Sequence, residues 1–263
     1  MAGRLAGKVA IITGASRGLG AYCAVGYGRE GATVVIAARS EQVTNPILEG
    51  TIYSTARQVD EAGGEGFPIV CNVADRASVQ AMVDAVLAKY GRIDILMNNA
   101  GILVPGALSA LEPRHWELQF RVNVNGPFFV SRAVLPSMIE RGSGSIINIS
   151  SVAADREHSG SYGITKRAVE DLTRQLAHEL REHGIAVNAL KPVAAIETPG
   201  MRLGHGGDLP ADVRAGLPTA DGYVEAAILL ALQTPDTCTG EAFNDIEAIT
   251  RLADAETKAR LLP

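Results

Sequence analysis

The residues best suited to chemistry are Tyr162 and Lys166, four apart in Tyr162-Gly163-Ile164-Thr165-Lys166. On a helix beginning near Ser161 they share one face, a turn apart. A tyrosine hydroxyl has a reference pKa of about 10 and is a poor acid–base group at neutral pH. A neighbouring ammonium favours the phenolate and lowers that pKa, which opens proton exchange with a substrate oxygen. This spacing recurs by chance, so it gains weight only beside a second feature. That feature is Thr13-Gly14-Ala15-Ser16-Arg17-Gly18-Leu19-Gly20. Glycines between a strand and a helix allow a sharp turn and close approach of a ligand. The helix start then offers free N–H groups and a positive dipole end to a phosphate. The spacing is G-x-x-x-G-x-G rather than the general dinucleotide G-x-G-x-x-G, and any tight strand–helix turn can also use glycine.

These residues need elements to hold them. Val9–Thr13 and the runs 33–37, 93–97 and 145–149 are apolar without alternation, and 185–190 is a weaker case. Strands apolar on both sides suit a parallel sheet covered by helices on both faces. Between them, 78–90 and 166–183 carry apolar residues at three- and four-residue spacing, with Val169, Leu172, Leu176 and Leu180 marking one face of the second. The alternation predicts an α/β protein: one doubly wound parallel sheet in a three-layer domain over 1–263. Two stretches interrupt it. Segment 40–55 is longer than an ordinary strand-to-helix connection, and 198–218 is rich in proline and glycine, as functional loops are.

Composition narrows the function class. The chain has 263 residues, 24 Lys+Arg against 29 Asp+Glu and a net charge of −5. With 47% hydrophobic and 20% charged residues it reads as an ordinary soluble globular protein, and it has no basic block for a nucleic acid. Cys23, Cys71 and Cys238 are far apart and form no disulfide framework, which suits a reducing, cytoplasmic setting. The longest apolar run, 226–232, is far short of the roughly 20 residues a membrane span needs. The N-terminus does not read as a secretory signal, and no His/Cys/carboxylate cluster at ligand spacing implies a metal. His158 lies near the proposed site but reads as a surface loop residue, as His115, His178 and His183 read as solvated helix positions.

Taken together, TGxxxGxG at 13–20, Asn98-Asn99-Ala100-Gly101 and Tyr162-x-x-x-Lys166 resemble the short-chain dehydrogenase/reductase family, in its order and at about its intervals, over residues 5 to 245. The resemblance implies a Rossmann-type fold, a nicotinamide dinucleotide, a small carbonyl or alcohol substrate and a homo-oligomer, tetramer or dimer. It implies Tyr162 as acid–base group, Lys166 as pKa modifier and ribose anchor, Ser151 as partner of the substrate oxygen, and Asn123 as the holder of a water linked to Lys166. Ser150, one residue from Ser151, points to the opposite face of a strand and is the fallback. Asparagine is unfavourable inside a helix, which fits a local distortion at Asn123.

For the cofactor, the backbone of Gly14, Ser16, Gly18, Leu19 and Gly20 would cradle the pyrophosphate. Asn99, Ala100 and Gly101 would let backbone approach the ligand, or serve the sheet alone. Asn72 and Val73 stand where the family has Asp-Val beside the adenine, and Ile196 and Thr198 would hold the nicotinamide carboxamide. NAD enzymes place a carboxylate after the second strand; here the strand runs into Arg39. Arg39 and Arg17 would converge on a 2′-phosphate, so NADP(H) is preferred and NAD(H) remains possible. Three departures stand out. The interval from Ser151 to Tyr162 is shorter than the family norm, residues 154–158 are unusually charged, and Lys191-Pro192-Val193 replaces the usual Pro-Gly. The last, with 49–53 and Phe243-x-Asp245, resembles the hydroxysteroid-dehydrogenase-like branch, without implying a steroid substrate. A non-catalytic nucleotide-binding protein on the same fold is the alternative, though all four catalytic positions are filled. An epimerase or dehydratase relative normally has a larger C-terminal substrate region, for which the stretch after Tyr162 leaves little room.

Overall fold

Residues 3–204 and 206–262 are described by the computed structural model. In chain order its strands are β1 (Val9–Thr13), β2 (Thr33–Ala38), β3 (Glu65–Val70), β4 (Ile95–Asn98), β5 (Gly144–Ile149), β6 (Ile185–Lys191) and β7 (Ala242–Asn244). All pair in parallel, in the order β3-β2-β1-β4-β5-β6-β7. The helices are α1 (Gly18–Arg29), α2 (Ile52–Glu61), α3 (Arg76–Tyr90), α4 (Pro113–Phe120), α5 (Gly126–Arg141), α6 (Gly160–Leu180), α7 (Pro199–Gly204), α8 (Ala211–Ala215), α9 (Asp221–Ala231), α10 (Asp245–Leu252) and α11 (Ala255–Leu261).

Alternate residues of each strand feed opposite cores, because successive side chains leave a strand on opposite faces. Ala10 and Ile12 of β1 pack with Cys23, Tyr27, Ala56, Val59 and Ile228 from α1, α2 and α9. Val9 and Ile11 pack on the other side with Met82, Val134 and Leu176 from α3, α5 and α6. That is the three-layer doubly wound fold expected from the unalternating runs.

Two strands escaped the pattern. β3 carries Gly66 and Pro68 and is half-exposed at the sheet edge, where a proline costs no ladder bond. β7 is only three residues long. Helix ends follow local signals. Asp75 caps α3 by accepting from Ala77 N (3.0 Å), and Gly91, at φ +70°, ends it. Segment 40–55 holds a 3-10 turn (Pro46–Leu48) before Thr51 caps α2, and 198–218 forms the short helices α7 and α8.

The strand order reverses between β1 and β4, and a crevice opens there beyond the carboxyl ends of the strands. The glycine turn, Asn99–Gly101, Ser150-Ser151 and Pro192 all follow strands at that edge.

Candidate active site

The glycine turn is built for close approach. Gly14 and Gly18 sit at φ +66° and +60°, in the left-handed region. A Cβ on Gly14 would lie 2.7 Å from Ala100 Cα, and one on Gly20 would meet Asn99 Nδ2. Asn99 Nδ2 donates to the carbonyls of Thr13 (2.9 Å) and Gly14 (3.2 Å), while Thr13 Oγ1 accepts from the N–H groups of Asn99 and Ala100 (3.1 Å each). The side chain of Asn99 therefore braces the turn rather than facing a ligand. Asn98, buried, ties β4 to β5 by donating to Asn148 Oδ1 (2.9 Å). At the start of α1 no side chain caps the first N–H groups, which leaves them for an anion. Ser16 is buried beneath the turn and Leu19 packs its side chain on the core, so both offer backbone.

Beside the glycine turn, Arg17 is half-buried and donates to the carbonyls of Glu49 (3.2 Å) and Gly50 (2.9 Å). Burial lowers its pKa, and the positive charge of Arg39 lowers it further. Arg39 lines a cavity of about 450 Å³ with Ser40, Gln42, Thr44 and Tyr53, whose hydroxyl donates to Glu41 (2.8 Å). Asn72 Oδ1 accepts from Ala74 N (3.2 Å), so its acceptor is spent on a turn. Val73 is a core residue; a Cβ on Gly126 would lie 3.0 Å from its Cγ2.

The segment after β6 comes back over the glycine turn. A Cβ on Gly18 would lie 3.4 Å from Thr198 Cβ, and Thr198 Oγ1 accepts from Met201 N (3.2 Å) as α7 begins. Ile196 is buried in the core. Arg202 of α7 pairs with Glu49 across the cleft and lies 3.6 Å from Asp208. A groove of about 1270 Å³ lies elsewhere, between α1, α9 and α11; Ile196 is its one residue from this set.

Opposite the turn, α6 begins at Gly160 and presents Tyr162 and Lys166 one turn apart, with Lys166 Nζ 5.5 Å from the centroid of the tyrosine ring. Lys166 is buried, donates to Ile149 O (2.7 Å), and is pulled down to about 8 by burial. For Tyr162 in the protein alone, the direction is upward. Burial pushes the phenol above its usual value, and the Ser151 hydroxyl, a hydrogen-bonding neighbour, works partly against that.

The two serines diverge as strand alternation predicts. Ser151 stands by Tyr162, whereas Ser150 Oγ donates to Glu170 Oε1 (2.6 Å) in the interior. Asn123 lies in a π-helical turn, Arg121–Asn125, the distortion anticipated for it. Its amide is committed: Oδ1 accepts from Ile102 N (2.8 Å), and Nδ2 donates to Ile102 O (2.8 Å) and Thr165 Oγ1 (3.1 Å). Its side chain therefore positions the loop after β4. A Cβ on Gly101 would lie 3.5 Å from Asn123 Oδ1 and 3.6 Å from Lys166 Nζ, so the missing side chain opens the cleft toward the lysine.

Sequence reading missed Gln119, Glu170 and Lys191. Gln119 is fully buried, donates to Ser161 Oγ (2.5 Å) and accepts from Val104 N (3.3 Å). The signal for Lys191 was present, a lysine ending an otherwise apolar strand.

A glycine turn at the switch point with a Tyr–Lys pair across the crevice defines a class, the dehydrogenases and reductases of the doubly wound nucleotide fold. The family model for short chain dehydrogenase matches residues 8–202, and the chain belongs to that family of oxidoreductases. It is 37% identical over 198 residues to 3-oxoacyl-[acyl-carrier-protein] reductase FabG of Thermotoga maritima, covering 74% of this chain and 77% of that one. It is 33% identical over 243 residues to human hydroxysteroid dehydrogenase-like protein 2, covering 90% of this chain but 56% of the length of the human protein. Among solved structures, a gluconate 5-dehydrogenase from Burkholderia cenocepacia in complex with NADP and tartrate superimposes with a TM-score of 0.78 at 35% identity, over 92% of this chain and 94% of that one.

Proposed function

We propose that this chain is an NADP(H)-dependent oxidoreductase that interconverts a secondary alcohol and a ketone, or an aldehyde, by Tyr162 acid–base catalysis. We read residues 1–263 as one domain serving both cofactor and substrate. The observation that carries the reading is the meeting of Tyr162, Lys166 and Ser151 across one crevice from an uncapped glycine turn.

The residues present fit the dinucleotide. Gly14, Gly18 and Gly20 leave room against Ala100 and Asn99, and the first N–H groups of α1 would receive the pyrophosphate. The positive charges of Arg17 and Arg39 act on each other, and no carboxylate follows β2 directly, which supports NADP(H) over NAD(H). A bound nicotinamide would supply the hydride chemistry at the substrate carbon. The protein handles the oxygen. The Tyr162 hydroxyl, pushed further up by burial, is protonated at neutral pH, the form that donates a proton to a carbonyl oxygen. Ser151 would donate a hydrogen bond to the same oxygen as negative charge grows there. Lys166, still mostly an ammonium at neutral pH, would replace the tyrosine proton and bind the ribose. Asn123 fixes the loop that floors the cleft.

As to setting, the three cysteines are free and buried, in keeping with a cytoplasmic protein. Among the described residues no helix is long and apolar enough to cross a membrane. Exposed Trp116, Leu118, Phe128 and Ile139 on α4 and α5 support a homo-oligomer, which sedimentation would reveal.

The test is NADPH fluorescence on mixing, then NADPH consumption over quinones, aryl ketones, ketosteroids and 3-oxoacyl thioesters. Turnover of one class supports the reading. Tight binding without turnover of any would favour a non-catalytic nucleotide-binding protein.

A further inference from the structure

Strand β6 ends on Lys191, whose side chain is only 8% exposed. A buried ammonium persists only with partners, and here there are two. Nζ reaches Asp155 Oδ1 at 2.6 Å and Glu170 Oε1 at 3.2 Å. The same Glu170 oxygen accepts from Ser150 Oγ at 2.6 Å. Glu170 stands one turn after Lys166 on α6, and Lys166 holds the Ile149 carbonyl at 2.7 Å. Farther along, Arg167 donates to the carbonyls of Ala154 (3.2 Å) and Arg156 (3.0 Å).

The anchors bracket Ser151. Ile149 and Ser150 are held before it by α6, while Asp155 is held after it by β6. The charge of the short stretch from Ser151 to Tyr162 has a purpose in this arrangement. Asp155 reaches back to Lys191, while Arg156, Glu157 and His158 stay exposed. Lys191 is thus the cation through which one strand end grips both the helix of the Tyr–Lys pair and the turn that follows the serine.

We propose that Lys191 is a positioning residue for the oxidoreductase reaction: through Asp155 and Glu170 it fixes the turn after Ser151, and with it the serine hydroxyl against Tyr162 and the adjoining substrate wall. This rests on the reading of Tyr162 and Ser151 as the pair that meets the substrate oxygen. Without the cation, Glu170 loses its ionic partner in the interior, and Asp155, whose side chain is 55% exposed, turns to water. The turn then loses its grip on the sheet while the cofactor side, built from the glycine turn and the two arginines, is untouched.

The experiment compares full-length wild type with Lys191→Met and Lys191→Arg. It measures amide exchange of residues 152–158, NADPH affinity by fluorescence, and kcat and KM with the carbonyl that wild type reduces fastest in the panel above. In Lys191→Met, exchange across 152–158 should speed about tenfold and kcat fall about tenfold, with NADPH affinity within about twofold; Lys191→Arg should restore most of both. Unchanged exchange or unchanged kcat in folded Lys191→Met overturns the proposal, as does an NADPH affinity that falls as far as kcat. If Lys191→Met does not fold, Asp155→Asn, altered at an exposed side chain, makes the same comparison. A wild type that reduces no carbonyl defeats the proposed function, while the exchange result still decides whether Lys191 holds the turn.

Discussion

Lys166 is 4% exposed, and burial pulls it from the ordinary 10.5 down to about 8. The unfolded chain keeps the ordinary value. Between the two values the unfolded state binds more protons, so this group makes stability rise with pH. The gap corresponds to a cost of about 3 kcal/mol at neutral pH, of which about 2 kcal/mol is recovered by about pH 9.5. Lys166→Met removes the titration. It also removes the bond to Ile149 O, but that loss enters at both pH values and subtracts out. Other groups that titrate at high pH are common to both proteins and cancel as well. Urea unfolding of wild type and Lys166→Met at about pH 7 and about pH 9.5 gives the double difference. Wild type should gain about 2 kcal/mol on the variant over that interval. If the two proteins shift in parallel, Lys166 is not desolvated as described.

Three other outcomes are expected. Arg39→Ala should weaken NADPH about 10- to 100-fold while leaving NADH nearly unchanged, as fluorescence titration with both cofactors would report. Gly14→Ala forces a side chain into φ +66° against Ala100 Cα, so it should cost about 1–3 kcal/mol or more in a melt and abolish NADPH binding. Asp94 is 5% exposed; burial raises its pKa, but Arg92, the Val9 N–H and Arg141 together hold it below the usual carboxylate range. Its contribution is present above the ordinary carboxylate pKa and lost as pH falls through the lowered one. Asp94→Asn should therefore cost about 3 kcal/mol at neutral pH and flatten the acid limb of urea stability.

What the sequence revealed and what it withheld follow from range. β1, β2, β5 and β6 were legible because a strand buried on both faces must be apolar throughout, a local property. β3 was not, since an edge strand tolerates Gly66 and Pro68 and needs no apolar run. The choice of Ser151 over Ser150, and of Asn123, came from the family resemblance; the period of two in a strand and the poor fit of asparagine inside a helix were consistent with it. By contrast, the use of Asn123's amide on Ile102 and Thr165 depends on contacts far apart in the chain. The same holds for Lys191 with Asp155 and Glu170, and for Arg202 with Glu49. The direction of the Tyr162 shift lay out of reach for another reason. It is set by burial, which no spacing of Tyr and Lys encodes.

The central claim is that Tyr162 moves the proton while other residues hold the cofactor. Tyr162→Phe tests it most directly, with NADPH affinity and kcat measured on one preparation. The account predicts that kcat falls by about 10²–10⁴-fold and that NADPH binds within a few-fold of wild type. Full turnover in Tyr162→Phe would contradict it.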